Sequence, residues 1–69
     1  MTTTMKAASL TALRTIADIV ELDHVRGLIA LDTFCDAMGV HDVLMSDRAA
    51  TVAGTYELIS DIMLGIEAS

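Results

Sequence analysis

The chain has 69 residues, 54% of them hydrophobic but only two aromatic, with ten acids against four bases and no proline. A chain this short makes one domain with no room for a catalytic domain and a lid. Its aliphatic content is also far above that of a disordered tail, which lacks the side chains whose burial offsets chain entropy. The formal charge is −6 and the bases, Lys6, Arg14, Arg26 and Arg48, stand singly, so no basic patch exists for nucleic-acid phosphates or anionic lipid.

The first six residues, Met1-Thr-Thr-Thr-Met-Lys, carry no apolar run before a small-residue cleavage site. No signal peptide is expected from them, the segment is expected to fray, and the expected location is the cytoplasm. From there, apolar or small residues recur at Leu10, Leu13, Ala17, Val20, Gly27, Leu31, Phe34 and Met38, three and four apart except where His24 takes the expected slot. This seam predicts one helix over about residues 8–38. A break near Asp23-His24 or at Gly27 is the rival reading, because glycine inside a helix costs about 1 kcal/mol relative to alanine. The seam keeps its phase across that point and no proline or turn pair interrupts it, which favours the continuous helix.

Gly39 can take the left-handed conformation that ends a helix, and Asp42 or the pair Ser46-Asp47 can cap the next one. The sequence therefore predicts a turn over 39–42 and a second helix over about 43–67. Its seam is Met45, Ala49, Val52, Tyr56, Ile59, Met63 and Ile66. The expected fold is all-α, one two-helix antiparallel hairpin spanning residues 1–69. Small residues at Ala49, Ala50, Ala53 and Gly54 suit tight packing on Gly27 and Ala30 of the first helix better than a groove for a partner helix.

One stripe per helix is enough for a hairpin, yet Ile19, Leu22, Val25 and Ile29 form a second stripe off the main seam, and Leu44, Leu58 and Ile62 widen the other helix. A core this small, with no disulfide possible from the single cysteine, is marginal alone. Both facts predict a homodimer in which Ile19, Leu22, Val25 and Ile29 meet across a two-fold axis in a four-helix arrangement.

Chemistry is sparse. His24, Cys35 and His41 lack the three- or four-residue spacing that sets two ligands on one helical face, so no metal is expected. His24 reads as a polar residue in an apolar seam, setting register or pairing; His41 reads as a turn residue, and Cys35 as a small buried side chain. The acid pairs Asp32/Asp36 and Glu57/Asp61 lie on helical faces as like charges and do not form the buried pair that acid-base catalysis requires. No phosphate loop, nucleophile elbow or zinc-protease pattern occurs, so no enzyme activity, cofactor or small-molecule substrate is expected.

What remains is recognition of another protein. Asp18, Asp32 and Asp36 form an acidic stripe that suits a basic partner surface or, more simply, keeps so hydrophobic a chain in solution, and Arg26 and Arg48 are single arginines able to grip a partner carboxylate. The expected partner-binding residues are Arg26, Asp32, Asp36 and Arg48, with Tyr56 as an alternative anchor better placed in the core. The expected function is that of a small acidic protein that modulates or inhibits a partner protein by occluding its surface, as a phage-type inhibitor of a host regulator would. A self-assembly module without a separate target is the alternative, and a DNA mimic is a third reading.

Overall fold

A computed structural model of the chain describes residues 3–40 and 43–69. Its elements are α1 (Thr3–Leu22), α2 (His24–Ala37), a 3-10 turn (Asp47–Ala50) and α3 (Val52–Ala68), with no strand among the described residues. The fold is all-α, with three helices where the seam predicts two. The helix predicted over 8–38 is broken at Asp23, and it starts earlier than predicted, so that Thr3–Lys6 are helical.

Asp23 breaks the helix by capping the next one. Its backbone is extended, with φ −153° and ψ 100°, and its carboxylate accepts the Arg26 N–H at 3.2 Å. Its own N–H still donates to the Ile19 carbonyl at 2.8 Å, and its carbonyl accepts from Gly27 at 2.9 Å. A single residue thus serves as both the end of α1 and the N-cap of α2, which an aspartate favours over a helix interior by about 1 kcal/mol. A straight helix over residues 8–38 would run about 46 Å at 1.5 Å per residue, but the longest dimension of the molecule is 32 Å. Instead α2 turns back over α1, and the two halves of one seam face each other across the joint.

The end of α2 follows the sequence expectation. Gly39 has φ +83°, and the Val40 and Gly39 N–H groups donate to the carbonyls of Cys35 at 2.8 Å and Asp36 at 3.1 Å. This is a Schellman ending that only glycine enters without strain. The second predicted helix begins later than 43. Ser46 caps the 3-10 turn by accepting the Arg48 N–H at 3.2 Å, and Thr51, rather than Asp42, caps α3 by accepting the Gly54 N–H at 2.9 Å. His41 and Asp42, and with them the turn and cap roles expected there, lie outside the described residues.

The starts of α2 and α3 are tied by a hydrogen bond between His24 and Thr55, and their ends, at Met38 and Ile66, flank one groove. The two helices therefore run the same way, with α1 packed against both and the segment 38–51 returning the chain to the start. The core is Leu13, Ile16 and Val20 of α1, Leu31 and Cys35 of α2, Val43, and Ile59 and Ile66 of α3. On α3 the buried face is Thr55, Ile59 and Ile66, flanked by Ile62 and Met63. Val52, Tyr56 and Met45, all predicted in the seam, are exposed. The first turn of α3 packs against the 3-10 turn instead, through Gly54 at the Arg48 carbonyl and Thr55 at the Ala49 carbonyl.

The small residues also pack differently from expectation. A Cβ on Gly27 would lie 2.6 Å from the Val20 Cα, so this glycine lets α2 close on α1; a Cβ on Gly54 would lie 2.0 Å from the Arg48 carbonyl oxygen, so that one admits the 3-10 turn. Gly27 and Gly54 thus serve two separate contacts, not one shared seam.

Candidate functional site

The buried side of α2 is the row Gly27, Leu31 and Cys35. Val25, Ile29, Asp32 and Asp36 fall on the opposite side, because steps of three and four residues keep one helical face. Leu22 is the last residue of α1, on the other side of the Asp23 break. Leu22, Val25 and Ile29 are 88%, 64% and 58% exposed, whereas Ile19 is half-buried. The four side chains expected at a dimer interface are therefore one partly covered residue and three outward ones. Of these, Val25 and Ile29 share a face of α2 with Asp32 and Asp36, which the sequence alone places on a separate acidic surface.

The two arginines are occupied within the chain. Arg26 sits beside Asp23, Nε to Oδ2 at 3.5 Å, in the first turn of α2. Arg48 reaches from the 3-10 turn to α3, where Nη2 donates to Asp61 Oδ2 at 2.6 Å and Nε lies 3.5 Å from Glu57 Oε2. The acid pair read as two repelling carboxylates is gripped by one guanidinium. Asp18, Asp32 and Asp36 are not gathered with Arg48 into one site: of the expected binding residues, the structure places Arg26, Asp32 and Asp36 on α2 and Arg48 against α3.

His24 and Thr55, 31 residues apart, form a contact that no spacing in the chain predicts. His24 Nε2 is 2.9 Å from Thr55 Oγ1, and that hydroxyl is 2.8 Å from the Thr51 carbonyl. With the hydroxyl proton directed to Thr51, the imidazole donates from Nε2. The spacing is that of a nucleophile and its base, but Thr55 is 0% exposed, so no substrate can reach the hydroxyl. The pair instead pins the start of α2 to the start of α3, and His24 sets register within the chain. Thr55→Val and His24→Ala, with the double variant, are expected to show a coupling of about 0.5–1.5 kcal/mol in denaturant melts; additive losses would mean that the bond contributes nothing.

Cys35 is 1% exposed, and burial, then Asp32 and Asp36, push its thiol above the ordinary range. A protonated, covered thiol is a poor nucleophile. It is expected to resist thiol reagents in the folded chain and to react on unfolding. Its raised value also predicts a stability that is complete below the unfolded thiol's pKa of about 8.5 and falls as pH rises past it, because only the unfolded chain then releases the proton. Melts from neutral to alkaline pH should show that decline, and Cys35→Ala should reduce it.

At the far ends of α2 and α3, Met38, Val40, Ile62, Gly65, Ile66 and Ser69 line a shallow, almost wholly apolar groove of about 470 Å³. Among the described residues no group of three or more His, Cys, Asp or Glu side chains is placed to hold a metal ion, and no helix is long and apolar enough to cross a membrane. Comparison with protein-family models, with curated proteins and with solved structures returns no match.

Proposed function

We propose that this chain is a protein-recognition module that acts by covering a surface of a partner protein, and so modulates or inhibits it. The observation that carries this reading is the exposed aliphatic run about the start of α2, where Leu22 at the end of α1 is followed by Val25 and Ile29 on the outer face of a helix whose opposite face is already packed. Single exposed aliphatics are ordinary, but a contiguous row in a chain of this size is the kind of surface that marks an interaction site. The contact residues in this reading are Leu22, Val25, Ile29, Asp32 and Asp36, with Arg26 at the edge. Arg48 drops to a supporting role because its charge is met by Glu57 and Asp61.

Self-association through the same row is the second reading, and it is favoured by further exposed aliphatics at Leu44, Met45 and Leu64, away from α2. Two measurements on one preparation separate the two. A mass in solution that stays fixed over a wide concentration range, with stoichiometric capture of one protein from a cell lysate that Ile29→Asp abolishes, supports recognition of another protein. A mass that grows with concentration and capture of nothing beyond the bait supports self-assembly.

A further inference from the structure

We infer that two copies of this chain exchange α2 and α3 by straightening at Asp23. In the exchanged pair α1 and α2 of each copy form one helix over residues 3–37, and each α1 packs on the α2 and α3 of the second copy. This goes beyond the recognition-module reading and does not depend on it.

The backbone at the joint carries the first part of the argument. The helical ladder reaches Asp23, whose N–H donates to the Ile19 carbonyl, and resumes at Gly27, whose N–H donates to the Asp23 carbonyl. Both bonds have the four-residue spacing of an uninterrupted helix. Straightening therefore adds only the three bonds from the His24, Val25 and Arg26 N–H groups to the carbonyls of Val20, Glu21 and Leu22. One extended residue, at φ −153° and ψ 100°, separates the bent form from the straight one.

The inward faces carry the second part. Val20, Ile16 and Leu13 are buried three, seven and ten residues before Asp23, and Gly27, Leu31 and Cys35 are buried four, eight and twelve residues after it. In a straight helix Leu13, Ile16, Val20, Gly27 and Leu31 keep to one face, because their steps of three, four, seven and four follow the helical repeat. Two such helices, antiparallel and crossing near residue 23, set Val20 of one copy opposite Gly27 of the other. The close approach that Gly27 allows on Val20 within one chain is thereby reproduced between two.

What moves does so as a unit. The His24–Thr55 hydrogen bond and the pairing of Arg48 with Asp61 and Glu57 all lie after the joint and travel with it. Leu13, Ile16 and Val20 meet the rest of the core as apolar side chains, which a second α1 presents identically. Two chains complete each other, so the exchange closes at a dimer.

Asp23 holds the chain bent. Its carboxylate caps α2 at Arg26, a contact that exists only while its backbone is extended, and aspartate is a poor residue for a helix interior. Asp23→Ala removes the cap and favours the straight helix, and both effects act at two joints per dimer.

The test refolds the full chain from guanidinium at low and at high concentration and follows it by sedimentation. The dilute sample is expected to be monomeric and the concentrated one dimeric, the dimer persisting on dilution because reversal requires each chain to open. Asp23→Ala should raise the dimer association constant at least about tenfold, with Asp23→Glu in its place if the alanine variant loses its helical circular dichroism. Asp23→Asn, which keeps the cap, should match the wild type, and Gly-Gly-Ser inserted between Asp23 and His24 should hold the chain monomeric. Spin labels on Thr11→Cys and Thr33→Cys in a Cys35→Ala background, diluted into unlabelled chain, report the joint within one copy. Their separation should change from that of neighbouring helices, with axes about 8–10 Å apart, to about 33 Å along one straight helix.

A wild-type chain that stays monomeric after concentrated refolding overturns the proposal. So does a dimer whose labels keep the short separation, since its chains then remain bent and meet through an outer surface. Dimers formed as readily by the Gly-Gly-Ser chain, or a mass that grows beyond two chains, overturn it as well. None of these results bears on capture of another protein through Ile29, so the recognition-module reading stands or falls separately.

Discussion

Gly27→Ala is expected to destabilise the protein strongly, although alanine is the better helix former. Within α2 the substitution alone would gain about 1 kcal/mol. The new methyl, however, would sit 2.3 Å from Val20 Cγ2 and 2.6 and 2.7 Å from the Val20 Cα and N. A side chain can rotate away from such a contact; backbone atoms of α1 cannot. The helices must separate at the joint where Asp23 allows no slack, since one residue links them. Overpacking of this kind costs about 1–3 kcal/mol, and in a chain of this size a core rarely supplies more than about 5 kcal/mol in total. Each kcal/mol shifts the melting point by about 4–8 °C, so a fall of ten degrees or so is expected by circular dichroism. Gly65→Ala is the comparison, because nothing lies within 4 Å of its added methyl and it occupies the interior of α3. That variant should melt higher than the wild type. A Gly27→Ala protein as stable as Gly65→Ala would mean that α2 does not close on α1 at Val20.

The same joint shows what the sequence could and could not reveal. The seam from Leu10 to Phe34 is real: Leu13, Val20, Gly27 and Leu31 are buried and Leu10, Ala17 and Phe34 pack at its edge. Its unbroken phase predicts a continuous helix, but a helix folded at a single capping residue buries the same seam on both sides. Phase alone cannot distinguish the two. The distinguishing signal was present in Asp23, an N-cap residue followed four positions later by a glycine able to admit the opposing helix. At Gly39 the local rule was sufficient, because a positive φ depends on the residue itself and its immediate neighbours. The start of α3 was hidden for the opposite reason: Thr51 caps it where the 3-10 turn meets Gly54, a contact that depends on tertiary packing.

The candidate surface was legible in fragments. Its aliphatic residues and its acids both stand out in the sequence, which suggests different roles for them, a dimer for one set and a partner for the other. Once α2 is a separate helix with Gly27, Leu31 and Cys35 inward, Val25 and Ile29 fall on one outward face with Asp32 and Asp36. The engagement of Arg48 was not legible, because Glu57 and Asp61 reach it only when the 3-10 turn folds onto α3. The same holds for His24 and Thr55, which are 31 residues apart in the chain.

Ile59→Asp is expected to unfold the chain, whereas Val52→Asp should leave it folded, although both positions belong to one predicted seam. Ile59 is 3% exposed and packs within the cluster that Leu13, Ile16 and Val20 build on α1. An aspartate there loses the aliphatic contacts and places a carboxylate where, among the described residues, no cation is buried to meet it. Removing the aliphatic bulk alone costs about 2–5 kcal/mol, and desolvating the polar group adds to that. The sum matches or exceeds the whole stability expected of so small a core. Val52 is 39% exposed and is the first residue of α3, directly after its Thr51 cap. A carboxylate there meets the positive end of the helix dipole, worth about 0.3–1 kcal/mol, and this offsets the modest apolar area lost. Circular dichroism melts should therefore show no cooperative transition for Ile59→Asp and a midpoint within a few degrees of wild type for Val52→Asp. Equal damage from both would place Val52 in the core and restore the earlier start of α3. Equal tolerance would mean that α3 does not pack on α1 through Ile59, and the arrangement that turns the outer row of α2 toward solvent would fall with it.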